Sequence, residues 1–246
     1  MTDSELAIEL AEAAGAVLLD IRGEGAETGK ALGARGDREA NALLIARLRE
    51  HRPDDFVLSE EAKDDPARCG TSRVWIIDPL DGTREYSEGR ADWAVHVGLA
   101  IDGRAMFGAV ALPAIGKVFA TGGALPARSP ASERLRMVVS RSRAPEIAAA
   151  VADAIGADLL PMGSAGAKAM AVIMGDADIY LHAGGQYEWD NCAPVAVARA
   201  HGLHASRLDG SELIYNCVDP LLPDLLICRA EIEPIVAAAI SAAGRR

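Results

Sequence analysis

The sequence predicts a layered sandwich that combines an α+β half with an α/β half, and three observations predict it. Apolar residues at helical spacing cover residues 3–22 and begin a helix pair. Two apolar runs joined by Asp102-Gly103 indicate an antiparallel hairpin. After a Gly/Pro/Ser-rich stretch at 122–133, strand and helix patterns alternate. Because such elements stack in layers, we expect a helix pair on a mainly antiparallel sheet, followed by a smaller α/β half.

The N-terminal half is predicted to contain two helices followed by a sheet. Thr2 and Glu5 have the T-x-x-E spacing of a capping box at the start of the first helix. A glycine-rich loop at 23–36 is expected to separate it from a second helix, which begins near Asp37 and runs to about residue 51. Apolar runs then predict the strands of the sheet, at 56–61, 74–78, 93–101, 105–112 and around 118–119.

The C-terminal half is predicted to alternate between strands and helices. Strand patterns lie at 135–140, 158–163, 177–182 and 224–230. Helical patterns lie at 145–156, 164–174, 188–202 and 231–244. We therefore expect two halves, 1–124 and 125–246, with the active site at their junction, where pockets commonly form.

Composition excludes several classes of function. The chain of 246 residues carries a formal net charge of −11 and no dense run of lysine or arginine, which argues against binding nucleic-acid polymers. Small anionic substrates are compatible with this charge, because a bound metal ion can invert the local field. No stretch approaches the roughly 18 uninterrupted apolar residues of a membrane span, and the acidic N-terminus does not resemble a signal peptide. A cytoplasmic protein with four reduced cysteines is the expectation.

The stretch VWIIDPLDGTREYS, residues 74–87, places two carboxylates at the end of an apolar strand. Asp78 and Asp81 are three positions apart, and Pro79 turns the chain so that both can point at one spot together with the Leu80 carbonyl. Two uncompensated carboxylates this close would raise each other's pKa. An all-oxygen cluster without nearby His or Cys suits Mg²⁺ or Mn²⁺. The alternative is a capped Asp-x-x-Asp turn with Gly82 in the left-handed conformation.

Three further acidic residues are candidates for the same site. Glu60 also ends an apolar strand, and it would reach the same spot if that strand pairs beside residues 74–78. Asp190 begins an apolar helix, and Asp37 begins the predicted second helix. Each has an ordinary alternative: a solvated strand end for Glu60, and an N-cap for Asp190 and Asp37. None of them decides between a site and a structural role when taken alone.

Four segments in this order, GDREAN, LSEEA, WIIDPLDGT and EWDNCAP, resemble the inositol monophosphatase superfamily of Mg²⁺-dependent, lithium-sensitive phosphatases. The D-P-[IL]-D-G-T element after W-[IV]-[IV] carries most of the resemblance, and the later W-D element supports it. The resemblance covers essentially the whole chain. It implies the αβαβα sandwich of sugar phosphatases and a small phosphorylated substrate, with no nucleic-acid or membrane partner. A homodimer is left open.

The resemblance also implies a ligand set for two or three Mg²⁺ ions, which Mn²⁺ could replace. Glu60, Asp78 and the Leu80 carbonyl match the positions that hold the first ion. Asp78, Asp81 and Asp190 match the positions that hold the second. Metal ions a few ångström apart can clamp both the attacking and the leaving oxygen of a phosphate ester.

The resemblance assigns catalytic and phosphate-binding residues beside the metals. Asp37 and Thr83 match the pair that orients and activates the attacking water, and the Gly82 and Thr83 amides match the phosphate cradle. No side-chain nucleophile is then required, because a metal ion lowers the pKa of bound water. A module that used Mg²⁺ only structurally would lack the Asp37–Thr83 pair. A Rossmann-type cofactor binder would need a G-x-G-x-x-G that the second half lacks.

Segments outside the metal ligands distinguish branches of the superfamily. Arg84 begins the R-E-Y after D-G-T, a conservative version of the K-E-F of 3′(2′),5′-bisphosphate nucleotidases, where inositol monophosphatases tend to have T-N-F. Ser164 and Lys168 lie in a G-S-x-x-x-K context, and Glu188 precedes the W-D element. The resemblance therefore implies hydrolysis of 3′-phosphoadenosine 5′-phosphate to AMP, with these four residues as substrate contacts. The alternatives are an inositol monophosphatase that also accepts fructose 1,6-bisphosphate and, for Lys168, a solvated side chain.

Two histidine-containing segments have weaker assignments. His96 alternates with Val95 and Val97, so it is expected to face a sheet surface and not to act as a ligand. The run His182–Gly185 follows a predicted strand and could line a nucleoside pocket.

Overall fold

The computed structural model describes residues 1–123, 134–142 and 144–244, so most of the predicted linker at 122–133 lies outside the described residues. Within these ranges the chain forms seven α-helices: α1 (Asp3–Glu24), α2 (Gly29–His51), α3 (Thr83–Ser87), α4 (Glu146–Ile155), α5 (Ala165–Met174), α6 (Glu188–Ala200) and α7 (Glu233–Ala243). The same ranges contain ten strands: β1 (Phe56–Ser59), β2 (Arg73–Asp81), β3 (Ala94–Ile101), β4 (Arg104–Leu112), β5 (Lys117–Ala120), β6 (Arg136–Ser140), β7 (Asp158–Met162), β8 (Ile179–Tyr187), β9 (Leu203–Ser206) and β10 (Leu221–Arg229). None of the described helices is long and apolar enough to cross a bilayer.

The first sheet has the order β1-β2-β3-β4-β5 and is antiparallel except for the parallel pair β1 and β2. The predicted hairpin between β3 and β4 is present. Its two turn residues, Asp102 and Gly103, have φ values of 49° and 75°. Two successive positive φ values produce the twist that a two-residue hairpin needs, and Asp-Gly adopts them at low cost.

The second sheet has the order β7-β6-β8-β10-β9. Strands β7, β6 and β8 run parallel to each other, whereas β10 is antiparallel to both β8 and β9. The sequence patterns miss β9, a four-residue strand at the sheet edge that is too short to show alternation.

Three apolar clusters show how the layers stack. Residues from α1 and α2 pack on one face of the first sheet, where Trp75 and Val97 point toward them. The opposite face, with Val74 and Ile76, packs on α5 and α6, which also cover one face of the second sheet. Helices α4 and α7 cover the remaining face of that sheet. The order of layers is therefore αβαβα, as predicted.

The start of α2 differs from the prediction. The helix begins at Gly29 and not near Asp37, so most of the expected loop at 23–36 is helical. Glycine lowers helix propensity by only about 1 kcal/mol, which tertiary packing readily offsets. Here the glycines permit close packing: a Cβ on Gly33 would lie 2.6 Å from Thr83 Cγ2, and one on Gly36 would lie 2.9 Å from Leu18 Cδ2. The early start of α2 therefore brings the helix against the segment that follows β2.

Candidate active site

The parallel pairing of β1 with β2 brings two acidic strand ends together. Ser59 pairs with Ile77, so the next residues along the two strands, Glu60 and Asp78, are neighbours at the same sheet edge. The ladder between β2 and β3 is irregular between Asp78 and Asp81, which lets the chain bring both aspartates to that edge. Asp78 and Asp81 are both buried, although carboxylates are seldom buried without a partner.

Asp190 completes a cluster of three aspartates. One carboxylate oxygen from each of Asp78, Asp81 and Asp190 lies within 4.8 Å of the others. Asp190 comes from the first turn of α6, so β2 and α6 supply the cluster jointly. Its Oδ2 also accepts a hydrogen bond from the Tyr187 amide at 2.6 Å. Asp190 is therefore not the N-cap of α6, which is Tyr187; it is the third residue of the helix and bonds back to the N-cap amide, an interaction that fixes the orientation of its carboxylate.

Burial and mutual repulsion perturb the acid strengths of the cluster. Burial, followed by the charges of Glu60, Asp81 and Asp190, raises the pKa of Asp78 well above its ordinary value. Burial and the Asp190 charge raise the pKa of Glu60, at the solvent-facing rim, to about 7. Burial and the Asp81 charge raise the pKa of Asp190 to about 6. Hard-oxygen donors that repel one another this strongly fit a divalent cation such as Mg²⁺.

Asp81 differs from its neighbours because it has cationic and hydrogen-bonding partners. Its Oδ2 accepts hydrogen bonds from the Ser164 hydroxyl and from the Gly166 amide, the latter at 2.7 Å, and lies 3.2 Å from His96 Nε2. Burial opposes ionisation, but His96 and Lys168 hold the pKa of Asp81 below its ordinary range. Asp81 is therefore the member of the cluster that is most readily ionised.

His96 is a site residue that the sequence patterns miss. His96 faces a sheet surface, as expected, on the side opposite the two valines that flank it. That surface is covered by helices, so the ring is fully buried and its Nδ1 lies 3.0 Å from the Trp189 carbonyl oxygen. Burial lowers the pKa of His96, and the Asp81 carboxylate more than offsets this, so the pKa lies above its usual value. The antiparallel register of β2 and β3 places His96 directly opposite Asp78, a pairing between strands that no local sequence pattern reveals.

Asp37 and Thr83 lie next to each other at the end of β2. Thr83 Oγ1 is 3.1 Å from the Leu80 carbonyl oxygen and 3.5 Å from Asp37 Oδ1. Asp37 lies inside α2, so its alternative as the N-cap of that helix is wrong. Burial and the charge of Glu61 raise the pKa of Asp37 to about 7. Both residues line a cavity of about 650 Å³ that Arg84 also lines.

Gly82 connects the carboxylates to α3. Its φ is 87°, the left-handed conformation that the sequence suggested and that glycine adopts without strain. A Cβ here would lie 3.2 Å from Ser164 Cβ and 3.3 Å from the Asp92 carbonyl oxygen. Glycine is therefore required both by the backbone conformation and by the close approach of the segment that holds Ser164.

Comparison with known proteins identifies the family. The sequence profile of the inositol monophosphatase family matches residues 3–242. The chain belongs to the inositol monophosphatase family. Two relatives, from Mycobacterium leprae and Mycobacterium tuberculosis, are both named 3′-phosphoadenosine 5′-phosphate phosphatase. The first is 53% identical over 96% of this chain and 92% of its own length, and the second is 53% identical over 94% and 91%.

Solved structures agree with the family and the fold. CysQ from Bacteroides thetaiotaomicron, a bacterial member of the family, matches with a TM-score of 0.78 at 27% identity and covers 92% of this chain and 97% of that one. Inositol monophosphatase II from Staphylococcus aureus matches with a TM-score of 0.80 at 18% identity, covering 95% and 93%. The second likeness concerns the fold alone. As a member of this family, the chain is a phosphatase of the metal-dependent class.

Two expected substrate contacts of this inositol monophosphatase family member face the protein interior. Lys168 is 5% exposed, and its Nζ donates to the carbonyl oxygens of Gly163 at 3.2 Å and Ser164 at 2.5 Å. The alternative of a solvated lysine is wrong, and burial lowers the pKa of this ammonium. Lys168 therefore supports the turn that presents Ser164 to Asp81, and its contact with a substrate phosphate stays a prediction.

Glu188, whose predicted substrate contact is likewise untested, bonds to the backbone of a neighbouring loop. It is fully buried, and its two oxygens accept hydrogen bonds from the amides of Asn216 at 2.7 Å and Cys217 at 2.8 Å. The carboxylate thus anchors the 211–220 loop beside the start of α6. By contrast, Arg84 remains largely exposed at the cavity, where it pairs with Glu88 at 3.1 Å.

Proposed function

We propose that this chain is a Mg²⁺-dependent phosphatase that removes the 3′-phosphate of 3′-phosphoadenosine 5′-phosphate, releasing AMP and phosphate. The observation that carries the proposal is the 53% identity, over almost the full length, to relatives named for that substrate. Inositol 1-phosphate is the second candidate. Several solved neighbours are named inositol monophosphatases, with TM-scores of 0.76 to 0.80, but they are only 18–22% identical to this chain.

The carboxylate cluster is the proposed metal centre. Asp78, Asp81 and Asp190 would hold one Mg²⁺ ion, and Glu60, Asp78 and the Leu80 carbonyl would hold a second, with Mn²⁺ as a substitute. When bound, such ions neutralise phosphate oxygens and acidify a bound water molecule. The all-oxygen donor set and the raised pKa values of Asp78, Glu60 and Asp190 support this assignment.

The residues beside the cluster would accept the proton of the attacking water and bind the phosphate group. Asp37, with a pKa of about 7, is matched to accept a proton near neutral pH, and the Thr83 hydroxyl lies between it and the Leu80 carbonyl. The backbone amides of Gly82 and Thr83 would bind the phosphate oxygens. Arg84 at the cavity would attract anionic substrate, whereas Ser164 would act by holding Asp81.

A pH dependence follows from the raised pKa values of Asp78, Glu60 and Asp190. Without metal, the folded protein keeps protons on these carboxyls that the unfolded chain, with ordinary pKa values near 4, has released. The stability that Glu60 and Asp190 contribute is therefore lost as the pH rises from about 4 to about 7, and the raised pKa of Asp78 acts in the same direction. Mg²⁺ must displace the same protons, so its binding strengthens over the same interval. We expect Mg²⁺ to raise the melting temperature more at pH 8 than at pH 5.5, measured against EDTA. An increment that is equal at the two pH values would contradict the assignment.

Tyr187 is the proposed platform for the adenine ring. Its side chain is 45% exposed and stacks on Trp189 with ring centroids 4.6 Å apart and planes 10° from parallel. The Tyr187 amide donates a hydrogen bond to Asp190, so the backbone that carries the ring is in direct contact with a proposed metal ligand. Nothing lies within 4 Å of the position a Cβ on Gly184 would occupy, which leaves open space on the same strand.

We expect Tyr187→Ala to raise KM for 3′-phosphoadenosine 5′-phosphate about tenfold, because base–aromatic stacking contributes about 1–3 kcal/mol. The KM for inositol 1-phosphate should change less than twofold, since that substrate has no base. Tyr187→Phe keeps the stacking face and is the matched control. Steady-state kinetics on both substrates decide: a similar KM increase for both would show that Tyr187 does not contact the base.

The proposed substrate is tested by measuring phosphate release. The panel comprises 3′-phosphoadenosine 5′-phosphate, its sulfated form, inositol 1-phosphate and fructose 1,6-bisphosphate, each with Mg²⁺ and with EDTA. We expect the highest kcat/KM for the first substrate and no release in EDTA. A higher kcat/KM for inositol 1-phosphate would favour the second candidate function.

A further inference from the structure

We infer that His96 is a positioning residue that fixes the position of Asp81 relative to Asp190 at the metal centre. The inference rests on the proposed function, because it requires these two aspartates to bind a metal ion. The imidazole is fully buried, with Nδ1 3.0 Å from the Trp189 carbonyl oxygen and Nε2 3.2 Å from Asp81 Oδ2. One ring therefore touches both sides of the candidate site.

The two contacts lead to different parts of the fold. Asp81 ends β2 in the first sheet, whereas Trp189 lies in the first turn of α6, directly before Asp190. His96 itself is on β3, which pairs with β2. Residues that hold metal ligands in place are commonly hydrogen-bonded side chains one layer behind the ligands. His96 lies behind Asp81, which it contacts directly, and behind Asp190, which it reaches through the backbone of Trp189.

The hydrogen bonds of Asp81 indicate what the ring fixes. Within the described part of the chain, the hydrogen-bond and ion-pair partners of this carboxylate all lie at Oδ2: the Ser164 hydroxyl, the Gly166 amide at 2.7 Å and His96 Nε2. Oδ1 is thereby left as the oxygen available to a metal ion. Losing the imidazole removes one of three restraints on Asp81 and, at the same time, the link to the α6 backbone.

Gly166 provides a second, independent observation. A Cβ at this position would lie 2.1 Å from His96 Nε2 and 3.0 Å from Ala94 Cβ. Gly166 lies in the first turn of α5, where a glycine is otherwise unfavourable by about 1 kcal/mol relative to alanine. The missing side chain makes room for the imidazole at the Asp81 carboxylate. Helix α5 therefore approaches this closely only because residue 166 has no Cβ.

The test measures Mn²⁺ affinity by calorimetry in the absence of substrate. His96→Leu keeps an apolar side chain in the space but removes both nitrogens, and we expect it to weaken Mn²⁺ binding at least tenfold. His96→Asn retains a nitrogen near the Nδ1 position, and His96→Gln retains one near Nε2, so both should be intermediate. His204→Leu is the matched control, because His204 contacts the Ser206 hydroxyl on β9 and should bind Mn²⁺ as the wild type does.

A paired substitution keeps the inference testable if His96→Leu folds poorly. Gly166→Ala should weaken Mn²⁺ binding at least fivefold in the wild-type background, because the methyl group displaces the ring. In the His96→Asn background, where the side chain is shorter, the same change should alter the affinity less than twofold. Equal weakening in both backgrounds would overturn the inference.

The outcomes separate the inference from the proposed function. A wild type that binds Mn²⁺, together with a folded His96→Leu that binds it within twofold, would overturn the positioning role and leave the metal centre standing. A wild type that binds no Mn²⁺ would overturn both. Weaker Mn²⁺ binding by His96→Leu, with an unchanged metal-free melting temperature, would support the positioning role over simple space filling.

Discussion

Asp81→Asn is expected to lower kcat at least a thousandfold while the protein remains folded. The amide keeps the shape of the side chain, and its oxygen can still accept from the Ser164 hydroxyl and the Gly166 amide, which now bind Oδ2. The group facing Asp78 and Asp190 would then be an uncharged NH₂ that cannot bind a cation. Loss of one charged ligand removes several kcal/mol of transition-state stabilisation, and about 4 kcal/mol corresponds to a thousandfold.

The measurement is phosphate release from 3′-phosphoadenosine 5′-phosphate at saturating Mg²⁺, with circular dichroism to verify folding. Asp153→Asn, an exposed change on α4, is the matched control and should keep wild-type turnover. A kcat for Asp81→Asn within tenfold of the wild type would mean that this carboxylate is not a metal ligand.

Asp37→Asn should lower kcat by about 10²–10⁴, the usual contribution of a positioned general base. Asp37 Oδ1 lies 3.5 Å from the Thr83 hydroxyl, and its pKa of about 7 suits proton transfer at neutral pH; an amide cannot accept that proton. The side chain lies outside the aspartate triad, so Mn²⁺ affinity should remain within about twofold of the wild type. This combination distinguishes Asp37 from the proposed ligands.

Kinetics and metal titration on the same preparation test this second prediction. A variant with wild-type kcat would remove Asp37 from the proposed mechanism. A variant with low kcat and equally weakened Mn²⁺ binding would instead make it a ligand or a structural support of the cluster.

The fold was predictable where local chemistry determines local conformation. Asp102-Gly103 specifies a hairpin turn by itself, and the Thr2–Glu5 capping box begins α1 as its spacing indicated. The start of α2 was not predictable in this way. Gly33 and Gly36 resemble loop residues in sequence, but in the structure they allow α2 to pack against Thr83 and Leu18. That contact depends on elements about fifty residues apart in one case and about twenty in the other.

Different parts of the site were predictable to different degrees. Asp78 and Asp81 follow from paired carboxylates at a strand end, and the structure places Asp190 beside them. Lys168 and Glu188 occupy the motif positions that the resemblance assigns to substrate contacts, but their side chains point into the protein and bond to backbone carbonyls and amides. A motif fixes the position of a residue and not the direction of its side chain. His96 was missed because its partners come from β2 and α6, which no local pattern connects.

The metal centre is tested most directly by anomalous scattering from a crystal grown with Mn²⁺. We predict a peak among Asp78, Asp81 and Asp190, with metal–oxygen distances of about 2.0–2.3 Å, near those of a small hard cation. The same data from Asp81→Asn should show this peak reduced or absent. A wild-type crystal with no Mn²⁺ peak at the three aspartates, or with peaks only at other surface carboxylates, would contradict the account.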